Sequence, residues 1–277
     1  MNNKRIAAIT MARNDEFFLR RWIEYYGARF GVENLYIILD GLDQTEPQNA
    51  ERANIIKLPH TDMSRTDGDK YRIGKISDLA NELFKSYDIV IGCDTDEFLI
   101  VDPNTRASLA EYLSELNIKT SVSGLGLDIG QHMKREKKLN TKRPLLKQRT
   151  YALLSTRYTK PVVLAKPARW GSGFHSVKNH TFHIDENLYL LHFGAVDMGM
   201  LEYKAQKRGA DWLNHLRRRG NGTINAITNK RAHDERYIKI ARIMQRIFRP
   251  IYALDKPGML GFKWVIRIPT RFKKTGV

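Results

Sequence analysis

The chain has 277 residues, 42% of them apolar and 10% aromatic, so it can bury a substantial core and is not a disordered polymer. Its only cysteine, Cys93, excludes an intrachain disulfide, and no apolar run approaches the roughly 20 residues that cross a bilayer. The net charge of +17 is unevenly carried: residues 201–277 hold 19 Lys and Arg against 5 Asp and Glu, residues 1–200 hold 28 against 25. A near-neutral body with a basic tail suits an anionic partner such as a membrane surface, a nucleic acid or a phosphorylated substrate. Lys4-Arg5 and the short run Ile6 to Ala12 lack a small-residue cleavage site, so the expected location is cytoplasmic, or peripheral on the cytosolic face of a membrane.

Ile6 to Met11 reads as a first buried strand, with Asn14 or Asp15 available to cap the helix that follows. Phe18, Leu19, Trp22, Ile23, Tyr26 and Phe30 recur at three and four residues along that helix, and Gly31 ends it. Leu35 to Leu39 is a second strand, closed by the turn Asp40-Gly41-Leu42-Asp43, and Ala53 to Leu58 a short third. Ile73, Ile76, Leu79, Ala80, Leu83 and Phe84 mark a second helix, which delivers the chain to a fourth strand at Ile89 to Ile91. This alternation predicts an α/β fold, a mostly parallel sheet flanked by helices. Ligands in such sheets bind beyond the carboxyl ends of the strands, where Arg13-Asn14-Asp15, Asp40 and Asp94-Thr95-Asp96 all fall.

After Pro103 the pattern loosens. Leu109 to Leu116 predicts a helix, Ser121 to Ile129 an irregular strand, and Tyr151 to Ala165 alternates weakly. Residues 134–149 carry eight Lys and Arg against the single acid Glu136 and read as a solvated or mobile loop, with contact to a substrate phosphate as the alternative. Trp170-Gly171-Ser172-Gly173-Phe174-His175 is a glycine-flanked aromatic turn, and Tyr189 to Phe193 a short strand containing His192. From Leu201 the chain turns helical and basic. Tyr237, Ile240, Ala241, Met244, Ile247 and Phe248 line one predicted side of a helix, with Lys239, Arg242, Arg246 and Arg249 on the other and Pro250 as its stop. Residues 260–272 mix Phe262 and Trp264 with cations. The expected organisation is a catalytic domain over residues 1–200. A basic helical region over 201–277 packs on it and offers a surface to an anionic membrane.

The chemistry concentrates at Asp94-Thr95-Asp96-Glu97, three carboxylates set between the apolar runs Ile89–Ile91 and Phe98–Val101. Buried carboxylates need a positive partner, and a divalent cation carrying phosphate oxygens is one that prefers oxygen ligands. A phosphate-binding P-loop fails at Gly68 to Ile76, which has one residue too many between its glycines and no Ser or Thr after Lys75. A dinucleotide fingerprint fails at Gly124 to Gly130, because no helix with a core face follows. A haloacid-dehalogenase-type phosphotransferase would want Thr or Val where Phe98 stands, and its motif on the first strand rather than the fourth.

Asp94-Thr95-Asp96 resembles the Asp-x-Asp motif of GT-A-fold glycosyltransferases. More narrowly, the ordered stations Asn14-Asp15, Arg21-Trp22, Asp40-Gly41, Asp94 to Phe98, Gly173-Phe174-His175 and His192-Phe193 with Lys204 resemble the family-2-like and family-92-like glycosyltransferases. The departures are Asp15 for Glu, Arg21 for Glu, Gly41 for Asn and Phe193 for Tyr. The resemblance implies a GT-A-like sheet and transfer of a sugar from a UDP- or GDP-linked donor to a hydroxyl of a saccharide or lipid-linked acceptor, with Mn²⁺ or Mg²⁺. It implies metal ligation by Asp94, Asp96 and His192, and donor contacts from Arg13, Asn14, Asp40, Lys75, Asp94 and Trp170. Asp96 and His175 are the expected catalytic residues; an inverting hexosyl transfer needs a base, for which His175, Asp185, Glu186 and Asp197 are the candidates, and it would serve cell-surface polysaccharide or glycoconjugate synthesis. The competing reading is a nucleic-acid-binding protein on an inactive α/β body. It rests on the basic tail alone, for no helix-turn-helix, zinc or RNA-recognition motif is visible.

Overall fold

The computed structural model describes residues 4–207, 209–252 and 264–277. Strand β1 (Ile6–Ala12), helix α1 (Glu16–Phe30), β2 (Leu35–Asp40), β3 (Asn54–Leu58), α2 (Arg65–Leu83) and β4 (Ile89–Gly92) follow in the predicted alternation. β1 lies between β2 and β4, parallel to both, and β3 adds parallel outside β2. Every residue of β1 and β4 is buried, as expected for parallel strands covered on both faces. The predicted stripe of α1 is the face it buries, and the helix stops at Gly31, whose φ of 87° is open to glycine at little steric cost. Asp15 stands at the helix start but makes no side-chain cap. Its carboxylate is committed elsewhere.

Strands β5 (Glu97–Val101), β6 (Ser121–Gly130), β7 (Tyr151–Leu154), β8 (Val163–Leu164) and β9 (His183–Ala195) build a second, mixed half of the same sheet, with α3 (Leu109–Glu115) between β5 and β6. The short β8 is the hinge: it runs antiparallel to β4 on one side and to β6 on the other. β9 is longer than the predicted strand because it is paired on both sides, antiparallel to β5 and parallel to β6. That register sets His192 opposite Glu97 on one neighbour and opposite Asp128 on the other. Residues distant in sequence thus come side by side through backbone pairing alone.

After β9 come α4 (Met198–Lys207), α5 (Gly209–Asn229), β10 (Ala232–His233), α6 (Arg236–Tyr252) and β11 (Val265–Arg267). β11 pairs antiparallel with β7, so the C-terminal region returns to the sheet. Helix α6 continues past Pro250 to Tyr252, since a proline removes one hydrogen bond without forbidding helical dihedrals. Its faces also differ from the predicted ones: Arg242 is buried while Ile240 and Ile247 are exposed. Phe262 lies outside the described residues. Among those described, no helix is long and apolar enough to cross a membrane.

The basic segment 134–149 is pinned at its base rather than fully solvated. Glu136 accepts the N–H of His132 at 2.9 Å and of Thr150 at 2.7 Å. Arg149 is buried, its Nε donating to Val196 O at 2.5 Å and its Nη2 reaching Asp197 Oδ2 at 3.4 Å. A charge count treats Glu136 as a minor entrant in a cationic run. Folded, it is the clasp.

Candidate functional site

The site forms where β4 hands the chain to β5. After Gly92 and the buried Cys93, a tight turn closes through Glu97 N–H on Asp94 O at 3.0 Å, and Phe193 N–H binds Asp96 O at 2.9 Å. The turn is thereby stitched to β9, with Asp94 and Asp96 on different partners.

Asp94 meets two cations. Arg72, from α2, donates Nη1 to its Oδ1, and Lys160 Nζ lies 3.1 Å from its Oδ2. Lys160 is itself buried, with Glu97 Oε1 at 2.5 Å. Desolvation opposes ionisation of Asp94, but Arg72 and Lys160 outweigh it and hold the carboxyl well below the usual carboxylate range. Burial lowers the affinity of Lys160 for its proton, yet Glu97 and Asp94 reverse this and its ammonium is held above the ordinary lysine range. Burial pushes Glu97 up, with Lys160 pulling the other way.

Asp96 faces a different group. Its Oδ2 stands 3.8 Å from His192 Nε2 and 4.0 Å from Lys204 Nζ. The other ring nitrogen of His192, Nδ1, is 2.7 Å from Asp128 Oδ1, and Asp128 Oδ2 accepts the Thr223 hydroxyl at 2.6 Å. The Tyr158 ring stacks on the imidazole at 3.6 Å and 14°. Desolvation opposes a charge on His192, but Asp96 and Asp128 raise its pKa above the ordinary value. Lys204 also binds Asp15 Oδ2 at 2.8 Å, an oxygen that takes the Thr95 hydroxyl at 2.9 Å. That is where the missing helix cap went.

The absence of a side chain at Gly194 lets the backbone pass close to the His192 ring. A Cβ there would sit 2.8 Å from His192 Nε2 and 3.6 Å from Asp96 Oδ2. A carboxylate oxygen and an imidazole nitrogen thus stand 3.8 Å apart, and a second carboxylate holds the imidazole by its far nitrogen. Metal-binding histidines are commonly fixed in this way. The pair fits a divalent cation whose remaining ligands come from a bound molecule. Among the described residues no group of three or more His, Cys, Asp and Glu side chains converges to hold an ion unaided.

A second polar group caps β1 and β2. Arg13 Nη1 donates to Asp40 O at 2.5 Å and to Asp43 Oδ1 at 3.1 Å, lying across Gly41, where any Cβ would collide with it. Asn14 N–H and side chain bond Gln44 at 2.8 and 3.1 Å, and the Asp40 carboxylate meets His60 Nδ1 at 3.0 Å. Asp15, next to Asn14, joins this group to the first.

Two residues expected at the donor stand apart from this turn. Lys75 is exposed on α2 with its ammonium 5.4 Å from the Tyr71 ring; the residue of that helix that reaches the turn is Arg72, three positions earlier and on the inward face. Trp170 is 1% exposed, its indole N–H on Pro161 O at 2.7 Å and its ring packed where a Cβ on Gly92 would stand, so it offers no open face to a sugar. His175 follows the short turn Ser172–Phe174, whose Phe174 ring lies 5.4 Å from the Arg72 guanidinium and 5.8 Å from Lys160 Nζ. Arg72, Asp128, Tyr158 and Lys160 were missed. The one signal that could have found any of them is the i, i+3 spacing of Asp69 and Arg72 on α2, which form an ion pair at 2.9 Å.

No protein-family model matches the chain, and no curated protein matches it. Among solved structures it is similar to a glycosyltransferase involved in the glycosylation of the major capsid of PBCV-1, at 12% identity over 44% of this chain, with a TM-score of 0.26. The chain spans half the length of that protein, 50%. It is also similar to the mannosyltransferase PcManGT from Pyrobaculum calidifontis in complex with GDP-Man and Mn²⁺, at 10% identity over 93% of this chain and 82% of that one, with a TM-score of 0.39. Both are glycosyltransferases.

Proposed function

We propose that the chain is a metal-dependent glycosyltransferase, moving a hexose from a nucleoside-diphosphate donor to a hydroxyl of a saccharide or lipid-linked acceptor. The observation that carries this reading is the pairing of Asp96 Oδ2 with His192 Nε2, 3.8 Å apart, with Asp128 on the far nitrogen of the ring. It lies at the strand-end turn where an α/β sheet receives its ligand. Mn²⁺ or Mg²⁺ held by Asp96 and His192 would supply Lewis acidity for a departing diphosphate.

The chain's own residues do the rest. Asp128 fixes the His192 ring by Nδ1, and an ion bound beside Asp96 would take the place of the proton on Nε2. Arg72 and Lys160 neutralise Asp94 and restrain it, leaving it able to accept a donor hydroxyl while contributing charge beside the ion. Arg13, Asn14 and Asp40, at the ends of β1 and β2, line the edge assigned to the nucleoside. Lys204 adds positive charge near Asp96 for a phosphate oxygen. His175 is the base in this reading, taking the proton of the acceptor hydroxyl.

The test is a panel of UDP- and GDP-linked sugars with and without Mn²⁺, following release of the nucleoside diphosphate, beside a direct Mn²⁺ titration of wild type and Gly194→Ala. The expected result is Mn²⁺-dependent release from one donor, with metal affinity lost in the variant. No release from any donor together with unchanged Mn²⁺ binding in Gly194→Ala would overturn the reading.

A further inference from the structure

Helix α6 is rolled against the pattern of its own side chains. Facing the body it buries Ile238 and Ala241 together with two polar residues, Arg242 and Gln245. The roll is fixed: the Arg242 guanidinium sits 4.8 Å over the Tyr189 ring, and Arg246 donates Nε and Nη2 to Ile184 O at 2.9 and 2.7 Å and Nη1 to Glu186 Oε1 at 3.1 Å. With both arginines anchored to β9, the opposite face must point outward. That face carries Ile240, Ile243 and Ile247, exposed by 45%, 56% and 58%. The spacing of three and four stacks them in one row along the helix. The remaining exposed large apolar residues among those described, Leu42, Met63, Met133 and Tyr203, are scattered singly and need no explanation.

The row is edged by Lys239 and by Arg236, the latter paired with Asp234 at 2.7 Å, and Lys230 and Arg231 stand exposed just before the helix. It belongs to the part of the chain where 19 cations face 5 acids. We infer that this face of α6 docks the protein on an anionic lipid bilayer. Three isoleucines spanning about 10 Å of helix fall far short of the roughly 800 Å² per partner that a stable protein interface buries. The same row is enough for shallow insertion at the headgroup boundary, where a basic rim meets anionic lipid. The inference does not rest on the sugar-transfer reading and survives its failure.

The experiment is co-sedimentation of the full-length protein with mixed phosphatidylserine–phosphatidylcholine vesicles and with pure phosphatidylcholine vesicles. Wild type is compared with Ile240→Ser/Ile243→Ser/Ile247→Ser and with Lys239→Ser, and each protein is checked for melting temperature and for oligomeric state by sedimentation. Wild type should prefer the anionic vesicles. The triple variant should lose about tenfold or more in binding with an unchanged melting temperature. Lys239→Ser should lose about fivefold, on anionic vesicles and at low salt only. Equal binding to both vesicle types, or a triple variant that binds like wild type, would overturn the inference. So would a triple variant that melts earlier, because the face is then covered by the chain itself, or one that only dissolves a dimer, because the face then pairs two copies.

Discussion

The two halves of the central sheet keep their interiors together by different means. From β1 to the end of β4 the buried side chains are nearly all apolar, and Asp15 is the one carboxylate among those described. From Glu97 onward the interior holds Glu97, Asp102, Asp128, Arg149, Lys160 and Asp197, each with a charged or hydrogen-bonding partner. Apolar packing fails gradually, in proportion to the volume removed, whereas a buried ion pair fails at once because removing one partner strands the other. Asp94 to Asp96 sits on the boundary. One side of the site is held by close-packed strands and the other by paired charge.

The largest effect should come from the boundary itself. Asp96→Ala should cut turnover about 10³-fold, the equivalent of about 4 kcal/mol in the barrier, with its melting temperature nearly unchanged, since the side chain is partly exposed and fills no core volume. Steady-state rates with and without excess chelator check this; undiminished turnover in chelator removes the ion from the mechanism. Next, Lys160→Met should destabilise the fold by about 3–5 kcal/mol, against about 1 kcal/mol for Ile9→Val in the apolar half. Burial already pushes Glu97 up, so the Lys160→Met deficit should narrow as the pH falls and that carboxyl takes a proton. Urea unfolding of both variants decides it, and equal costs would dissolve the comparison.

Smaller effects sharpen it. His192→Ala should weaken Mn²⁺ binding about 10- to 100-fold, while His175→Ala leaves it unchanged, because the paired strand β9 and Asp128 hold the first histidine and a glycine-flanked turn carries the second. Isothermal titration of both would expose a reversed assignment. Last, Arg271→Ala should cost about 2 kcal/mol at neutral pH, since Arg271 binds Asp102 through two bonds of 2.7 Å. Burial opposes ionisation of Asp102, but Arg271 outweighs it and lowers its pKa. The contribution is therefore complete above the unfolded carboxylate range, near pH 4, and is lost as the pH falls through the lower folded value. Melting curves of wild type and variant should converge in acid.

The apolar half was legible in the sequence for the reason it is robust. Strands at Ile6, Leu35 and Ile89 and helices at Phe18 and Ile73 announce themselves through periodicity, and their polar ends fall where a parallel sheet must put them. Asp94, Asp96 and His192 were singled out because a strand end and a motif coincide there, and β9 sets His192 beside Asp96. Lys160 and Tyr158 lie in an aperiodic connection between β7 and β8, and Asp128 sits inside a strand read only as irregular. What recruits them is cross-strand register and close approach, as where a Cβ on Gly194 would enter the site, and neither leaves a local trace. Glu136 and Arg149 were hidden by composition, for a cationic run looks solvated until its one acid is seen to turn inward. The roll of α6 was misjudged because hydropathy ranks isoleucine inward, while the hydrogen bonds of Arg246 decided otherwise.

Cys93, one residue before Asp94, gives the protein an internal reporter that requires no engineering. Its sulfur is buried, accepts the Trp22 indole N–H at 3.3 Å and lies 3.5 Å from the Tyr26 hydroxyl. Burial pushes the thiol up to about 12, so thiolate is scarce and alkylating reagents find neither access nor a nucleophile while the fold is closed. With no other cysteine in the chain, every labelling event is assignable to this position. The rate at which a maleimide is consumed by the native protein therefore counts how often the junction between the two halves of the sheet breathes open. A donor or a metal ion that tightens this junction would slow that clock, and would do so before any product is measured.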